Sequence, residues 1–214
     1  MTNNRRALIG LYAIAAVLAL GNLFRSLSIV MQWIPPLMIL AIGAASFFLT
    51  YRMTWRSGAA VVGVALLVFL SEVLGVNAGF PFGDFAFTNV LGPKLLDVPY
   101  LIVLLWLSIL IPASSAAERF LKYNHVVVVA ILVTAFDAVL EFAADSLDLW
   151  HWKEGMPNEL NYISWFGISY FSISLLKKFA NEREPNALVA HFLSAQLIYF
   201  ALSDVGVRFI APHL

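Results

Sequence analysis

Apolar residues occur along this chain in seven runs, which are separated by short polar segments. The runs cover about 7–24, 33–49, 59–76, 95–112, 126–144, 162–176 and 187–207. Most are close to the roughly 20 residues that a helix needs to cross the hydrocarbon core of a bilayer. The sixth run is short, and we expect its helix to begin nearer Pro157. The pattern predicts an all-α, polytopic membrane helix bundle with about seven transmembrane helices.

The composition places the chain in a membrane rather than in water. Hydrophobic residues make up 61% of the 214 positions, charged residues make up 12%, and the mean hydropathy is +0.85. A soluble domain has about 45–50% apolar and about 25% charged residues. The runs leave no room for a soluble module, so we expect a single integral membrane domain over residues 1–214. The N-terminal MTNNRR could begin a signal peptide, but six further runs follow, and we expect it to stay as part of the first helix.

Two features of the composition exclude some kinds of chemistry. Cysteine is absent, which excludes disulfides, thiolate nucleophiles and cysteine-ligated metal centres. The formal net charge is zero and gives no indication of nucleic-acid binding.

Lysine and arginine are unevenly distributed between the segments that join the runs, and this asymmetry predicts the orientation. With seven crossings and a cytoplasmic N-terminus, the cytoplasmic segments carry Arg5, Arg6, Arg52, Arg56, Arg119, Lys122, Lys177, Lys178 and Arg183. The opposite side carries Arg25, Lys94, Lys153 and Arg208. This orientation puts the two unusual loops of the chain, 77–97 and 145–161, together on the non-cytoplasmic side.

A row of acidic residues lies in and after the fifth run. Asp137, Glu141, Asp145 and Asp148 are spaced i, i+4, i+8 and i+11, which places all four on one face of a helix. Asp145 and Asp148 are expected at the surface. Asp137 and Glu141 lie within the apolar run, where an ionisable side chain is costly and by default marks a functional interior.

Two further acids are predicted at the same depth as this pair. Glu72 lies near the outer end of the third run and Asp204 near the outer end of the seventh. All four are roughly 18–27 Å from the inner edge of a core about 30 Å thick. For Asp204 the simpler interpretation is that it lies near the helix end and reaches the membrane interface. Asp137 and Glu141, one turn apart, cannot both be charged cheaply, so we expect one to keep its proton, as an acid catalyst requires.

The loop after the third run is unusually rich in glycine, proline and phenylalanine. It contains glycines at 75, 79, 83 and 92, prolines at 81, 93 and 99, and phenylalanines at 80, 82, 85 and 87. Glycine and proline at this density indicate a fixed, irregular backbone, and the aromatic rings favour a segment that folds over the bundle as a lid. The second loop places Trp150, Trp152 and Trp165 near the interface, where an aromatic belt is the simpler interpretation.

Two blocks of motifs, spanning roughly residues 70–166, resemble a known family. The first block comprises Glu72, Gly75, Gly79, Phe82, Gly83, Leu91, Gly92, Pro93, Val98, Pro99 and Trp106. The second comprises Asp137, Glu141, Trp150, Trp152, Pro157, Asn161 and Trp165. Together they resemble the membrane carotenoid-biosynthesis proteins, which include carotenoid hydratases of the γ-carotene and bisanhydrobacterioruberin type.

The chain departs from that family pattern at a few positions. Phe85 and Phe87 stand where the family has tyrosines, Phe142 replaces a proline, and Ser164 replaces a glycine. The spacing from Pro157 to Asn161 is one residue longer. These departures bear on substrate and regiochemistry more than on membership.

The resemblance implies an enzyme that adds water to the terminal C1=C2 double bond of an acyclic carotenoid end group, in lycopene, γ-carotene or a related polyene. It implies Asp137 and Glu141 as the acid–base pair, with Glu72 activating water or holding the proton of the pair. The implied substrate-binding residues are Phe82, Gly83, Phe85, Trp106, Trp150, Trp152, Asn161 and Trp165. Ring faces stabilise cations by roughly 0.5–2 kcal/mol each, which suits Phe82, Phe85, Trp150 and Trp152 to a carbocation.

The same resemblance sets the expected partners. The reaction needs water and a polyene, and no cofactor, metal or nucleic acid. The enzyme would lie in the cytoplasmic membrane of a bacterium or archaeon, in contact with lipid and potentially with other carotenoid-pathway enzymes, with its active face toward the non-cytoplasmic side.

Three other functions remain open at this point. A lycopene-type cyclase would protonate the same end group and capture the cation with a neighbouring double bond. A Mg²⁺-dependent prenyl transferase could use the spacing from Asp137 through Glu141 to Asp145, but a diphosphate also needs basic residues, and few lie on this face. A proton-coupled transporter would explain the buried acids but not the two unusual loops.

Two membrane classes are excluded more firmly. A retinal photoreceptor needs a Schiff-base lysine, and the seventh run, 187–207, contains no lysine. A di-iron hydroxylase or desaturase needs clustered histidines, and the four histidines are far apart in the sequence: His125, His151, His191 and His213.

Overall fold

Eight α-helices form most of the described chain in the computed structural model, which describes residues 2–24, 27–122, 125–182 and 186–213. They are α1 Thr2–Gly21, α2 Ser28–Met31, α3 Ile34–Thr50, α4 Trp55–Ala78, α5 Leu101–Ala116, α6 Val126–Ser146, α7 Glu159–Phe179 and α8 Ala187–Val205. A π-helical turn, Ala117–Leu121, extends α5, and a second, Gly206–Ile210, follows α8 before a 3₁₀ turn at Ala211–His213.

Five helical segments are long and apolar enough to cross a membrane. They are Ser28–Thr50, Trp55–Ala78, Leu101–Leu121, Val126–Ser146 and Ala187–His213. The predicted all-α membrane bundle is therefore confirmed. Helices α1 and α7 are not among the five, so the number of seven crossings and the cytoplasmic N-terminus stay predictions. Helix α7 begins at Glu159, close to Pro157 as expected.

The outer and inner faces of the bundle follow from the apolar pattern. Val62, Leu66, Leu70 and Leu74 lie along one exposed stripe of α4, as expected for a surface that contacts lipid. Helix α5 lies at the centre and is buried over most of its length, with α3, α4, α6, α7 and α8 around it.

Polar side chains and small residues join α5 to its neighbours. Gln196 on α8 donates to the Ser108 carbonyl at 2.8 Å and accepts from the Ser108 hydroxyl at 2.9 Å. A Cβ atom at Gly43 of α3 would lie 3.1 Å from the Leu104 carbonyl. Small residues and interhelical hydrogen bonds of this kind hold membrane helices together.

The connections between helices gather at two ends of the bundle. At one end, the Arg52 amide donates to the Asn181 carbonyl at 2.8 Å, so the α3–α4 and α7–α8 connections meet. At the other end, the two unusual loops, 77–97 and 145–161, meet as predicted. Which end faces the cytoplasm stays a prediction. Arg25 and Arg183, which enter the charge count, lie outside the described residues.

Short β-strands join the two loops, a feature that the all-α prediction did not include. Strand β1, Phe85–Phe87, pairs antiparallel with β4, Trp150–Trp152, and the register places Ala86 opposite His151. Strands β2, Lys94–Leu95, and β3, Val98–Pro99, form a second small pair. The loops are thus one layer, folded over the ends of α4, α6 and α7.

Candidate active site

Three carboxyl groups meet beneath this layer. Glu72 comes from the last turns of α4, and Asp137 and Glu141 come from consecutive turns of α6. Their exposed fractions are 3%, 0% and 6%. Glu72, which precedes Asp137 by 65 residues in the sequence, therefore joins the two acids of α6 in one buried cluster, which we call the acid cluster.

Indole groups hold two of these carboxyls. Trp106 Nε1 donates to Glu72 Oε1 at 3.0 Å. Trp150 Nε1 and Trp152 Nε1 both donate to Glu141 Oε2, at 2.9 and 2.7 Å. Residues 150 and 152 share one face of β4, because successive side chains of a strand point to opposite sides. The strand therefore presents two donors to a single oxygen.

Asn161 connects the two acids of α6. Its Nδ2 lies 3.2 Å from Asp137 Oδ2 and 3.3 Å from Glu141 Oε1, so one amide donates to both. The side chain of Asn158 caps α7 by accepting from the Asn161 amide at 3.2 Å, which fixes the first turn of the helix. Asp137 Oδ1 has no hydrogen-bond partner among the described residues.

The donors to the acid cluster are all neutral. Indoles and an amide stabilise a carboxylate less than lysine or arginine would. Burying several negative charges with such partners is expensive, which favours a cluster that retains a proton. The arrangement is suited to giving a proton to a group that enters from the apolar side.

Aromatic rings enclose a small cavity beside the acids. Its volume is about 20 Å³, room for about one water molecule. The lining residues are Glu72, Phe82, Phe85, Phe87, Ile102, Trp106, Glu141, Trp150, Trp152, Asn161 and Trp165. The predicted substrate-binding residues therefore lie together around one space, except Gly83, which lies just outside it.

The rings form two walls. In the first, Trp165 stacks between Trp106 and Phe82, with ring centroids 3.3 and 4.9 Å apart. In the second, Phe85 lies against Trp152 with centroids 5.0 Å apart, and Phe87 meets Trp150 edge-on at 5.8 Å. The prediction of an aromatic belt for the three loop tryptophans misses this arrangement, because Trp150 and Trp165 are buried.

Two glycines allow this close packing. A Cβ atom at Gly75 would lie 2.5 Å from Phe82 Cδ2 and 3.0 Å from Phe85 Cε1. Gly83 has a φ of +111°, and its Cβ would lie 2.8 Å from Asn158 Nδ2. Gly83 therefore lies against the capping asparagine and does not line the cavity.

The other acids of the row lie apart from the acid cluster. Asp145 contacts His151 and Arg208 at the surface, and Asp148 contacts His151. Asp204, expected in the same layer, accepts from Ser146 Oγ at 2.5 Å and from Arg208 Nε at 2.6 Å. Asp204 therefore belongs to an ion pair near the helix end, which was the simpler of its two interpretations.

Sequence reasoning missed two lining residues and one connection. Ile102 carries no sequence signal that separates it from the rest of an apolar helix. Phe87 was named as one of the loop phenylalanines and as a departure from the family pattern, but not as a lining residue, although its alternation with Phe85 matches a strand. The hydrogen bonds by which Asn161 connects the two acids of α6 could not be predicted from the sequence, because those acids are 24 and 20 residues away along the chain.

The fold and site define a class: an integral membrane protein whose helices bury a cluster of carboxyl groups under an aromatic layer. The model of the family described as "Carotenoid biosynthesis protein" matches residues 33–211. The chain belongs to this family, which confirms the predicted membership.

A curated relative adds detail. The chain is 31% identical over 129 residues to the bisanhydrobacterioruberin hydratase of Haloarcula japonica, a match that covers 51% of this chain and 41% of the relative. The chain thus spans less than half the length of that relative. No solved structure matches the chain. Among the described residues, no group of three or more histidine, aspartate or glutamate side chains is arranged to hold a metal ion.

Proposed function

We propose that this protein is a carotenoid hydratase, which adds water to the terminal C1=C2 double bond of an acyclic carotenoid end group. The observation that carries the proposal is the acid cluster itself: three buried carboxyls with neutral donors, two of which, Glu72 and Glu141, line the aromatic cavity. Family membership and the hydratase relative support the same reaction.

Protonation is the first step. A carboxyl of the Asp137–Glu141 pair gives its proton to C2, the less substituted carbon, and the electrons of the double bond form the new C–H bond. The positive charge is then on C1, as a tertiary carbocation. General acid catalysis by a positioned carboxyl contributes typically 10²–10⁴-fold to the rate.

Water capture is the second step. The oxygen of a water molecule bonds to C1, and its surplus proton passes to a carboxylate of the acid cluster, which restores the acid. Glu72 is suited to hold this water or proton, because it lines the cavity next to Glu141. No electron is gained or lost overall, since the product is the substrate plus one water.

The aromatic walls serve the cation. Rings presented face-on to a positive charge stabilise it by roughly 0.5–2 kcal/mol each when they are dry. Phe85 and Trp152 are the partly exposed rings of the second aromatic wall. The end group is larger than the cavity, so we expect these two rings to move when it enters from the lipid.

The alternatives make different demands on the site. A cyclase would share the protonation step but would have to keep water away from the cation, and the cavity has room for one water. A prenyl transferase would need free cations for diphosphate. The three basic residues described on this side of the bundle already have partners: Lys94 Nζ donates to the Phe87 carbonyl, Lys153 pairs with Asp84, and Arg208 pairs with Asp145. These contacts count against a diphosphate site.

Pigment analysis tests the proposal. The chain is expressed in cells that accumulate lycopene or γ-carotene, and the pigments are weighed by mass spectrometry. We expect a product heavier by one water, and its loss in Asp137→Asn and Glu141→Gln. Asp204→Asn is the matched control, because it removes an acid outside the acid cluster, and it should keep the product. An isomer of unchanged mass would indicate a cyclase, and no change with any acyclic carotenoid would contradict both.

A further inference from the structure

A second set of charged groups lies on the outer side of β4. We call His151, Asp145, Asp148 and Arg208 the outer cluster. The ring of His151 lies between two carboxylates, with Nδ1 2.8 Å from Asp145 Oδ1 and Nε2 2.7 Å from Asp148 Oδ1. An ionised carboxylate only accepts hydrogen bonds, so both ring nitrogens must donate, and only the imidazolium form does so. The arrangement therefore selects the charged ring.

The backbone around this ring is held in an uncommon conformation. Asp148 has a φ of +56°, in the left-handed region that few non-glycine residues adopt. Its carbonyl accepts a hydrogen bond from Thr88 Oγ1 of the other loop, and its carboxylate contacts His151. The turn from α6 into β4 is thus maintained by contacts that include the histidine.

The position of His151 in β4 links the outer cluster to the acid cluster. His151 points outward between Trp150 and Trp152, which both point inward and donate to Glu141 Oε2. Because these are consecutive residues of one strand, a shift of the backbone at His151 moves both indole donors. Glu141 is the acid that would lose them.

The charged groups near His151 come from several segments of the chain. Asp145 lies at the end of α6, Asp148 lies in the turn, and Asp145 Oδ2 also accepts from Arg208 at 3.0 Å. Arg208 in turn pairs with Asp204 of α8. On the side of β1, the residue opposite His151 is Ala86, and the nearest ion pair along the ladder joins Asp84 and Lys153.

We propose that His151 is a positioning residue: its imidazolium form, held between Asp145 and Asp148, keeps the indole donors of Trp150 and Trp152 on Glu141. The effect on catalysis rests on the proposed function, whereas the effect on the indoles does not. The indole donors would be held in place while the ring is charged and would loosen when the ring becomes neutral.

The direction of this pH dependence follows from the surroundings of the ring. Hydrogen bonds to Asp145 and then to Asp148 raise the pKa of His151 above its ordinary value of 6.5. A raised histidine pKa means that the contacts are fully present below about 6.5 and are lost as the pH rises through the raised value. The side chain is half exposed, so salt weakens the effect.

Indole N–H resonances measured by NMR on the protein in detergent micelles test the positioning. Trp→Phe variants assign the signals. We expect the Trp150 and Trp152 resonances to move together with the titration of His151, while that of Trp106, bonded to Glu72, stays. His151→Gln should abolish the movement. Asp148→Asn, which tolerates the left-handed backbone, should lower the midpoint, because it removes one of the two carboxylates that stabilise the charged ring. Indole resonances that ignore the titration, or move unchanged in His151→Gln, would overturn the proposal.

Activity across the same pH range separates the two proposals. Loss of hydration at high pH does not by itself show that His151 is responsible, because the acid cluster can also lose its proton. The discriminating result is a shift of the alkaline limb to lower pH in Asp148→Asn. If the indoles follow His151 but no pigment is ever hydrated, the positioning stands and the proposed function fails. If hydration occurs with the limb unmoved in Asp148→Asn, the effect of His151 on catalysis is wrong.

Discussion

A single buried amide, that of Asn161, serves both acids of α6. It is 1% exposed and donates from one nitrogen to Asp137 and to Glu141. An amide carries no charge, so it can orient two carboxyls without forcing both to ionise. This explains why an asparagine suits the position better than lysine, which would fix a charged pair.

Replacing this amide gives a test at the level of one residue. Asn161→Leu keeps the volume roughly constant and removes the shared donor. We expect the hydration rate to fall about 10–100-fold, because a lost hydrogen bond to a charged group costs about 1.5–3 kcal/mol. The rate is measured as product formed per amount of folded protein.

A matched asparagine provides the control. Asn22→Leu removes another side-chain donor, which lies outside the acid cluster. Asn22 Nδ2 donates to Ser203 Oγ at 2.9 Å. It should leave the hydration rate near that of the wild type. Equal losses in both variants would mean that the effect of Asn161→Leu comes from a general disturbance of the folded bundle rather than from the acids.

Helix α4 contributes to the site as an element, with its last turns against the aromatic layer. Thr54 caps its start by accepting from the Ser57 amide, and Gly79, with a φ of +65°, ends it. The helix presents Glu72 inward, and the next turn presents Gly75, where the rings of the loop approach most closely. The end of the helix therefore sets the distance between the acids and the aromatic wall.

Alanine substitutions at two glycines of α4 distinguish the effect of packing on stability from the effect of helix propensity. Gly75→Ala would place a methyl group 2.5 Å from the ring of Phe82 and displace the aromatic wall. We expect a loss of about 1–3 kcal/mol in the free energy of unfolding, the usual cost of overpacking, together with reduced hydration. Gly58→Ala meets nothing within 4 Å and should be neutral or stabilising. Thermal unfolding in detergent measures both, and a neutral Gly75→Ala would contradict the tight contact.

The whole molecule has two chemically different ends, and the charge distribution predicts which one faces the cytoplasm. Because the chain contains no cysteine, single cysteines can be labelled without background. Met53→Cys marks the α3–α4 connection, and Glu154→Cys marks the loop layer; both positions are exposed. A membrane-impermeant maleimide added outside intact cells should label position 154 and not 53. The reverse pattern would invert the predicted orientation, and labelling of both only after lysis would place both ends inside.

Much of the architecture could be predicted from the order of residues. The apolar runs correspond to the long helices, and Pro157 correctly indicated an early start for α7. The spacing of Asp137 and Glu141 predicted a shared buried face, because helical periodicity is a local property. The pairing of β1 with β4 could not be predicted, since three-residue strands leave almost no periodic signal and the paired residues are 63 to 67 positions apart in the chain.

The sequence by itself determined the environment, the helical class and the types of residue available for chemistry, because these depend on composition and on contacts within a few turns. Only the tertiary structure decided which groups meet. It joined Glu72 to the α6 acids, directed three indoles onto two carboxyls, and left Asp145 and Asp204 outside. Helices that cross a bilayer bring distant segments together by packing, and packing is a property of the whole bundle rather than of any one stretch of chain.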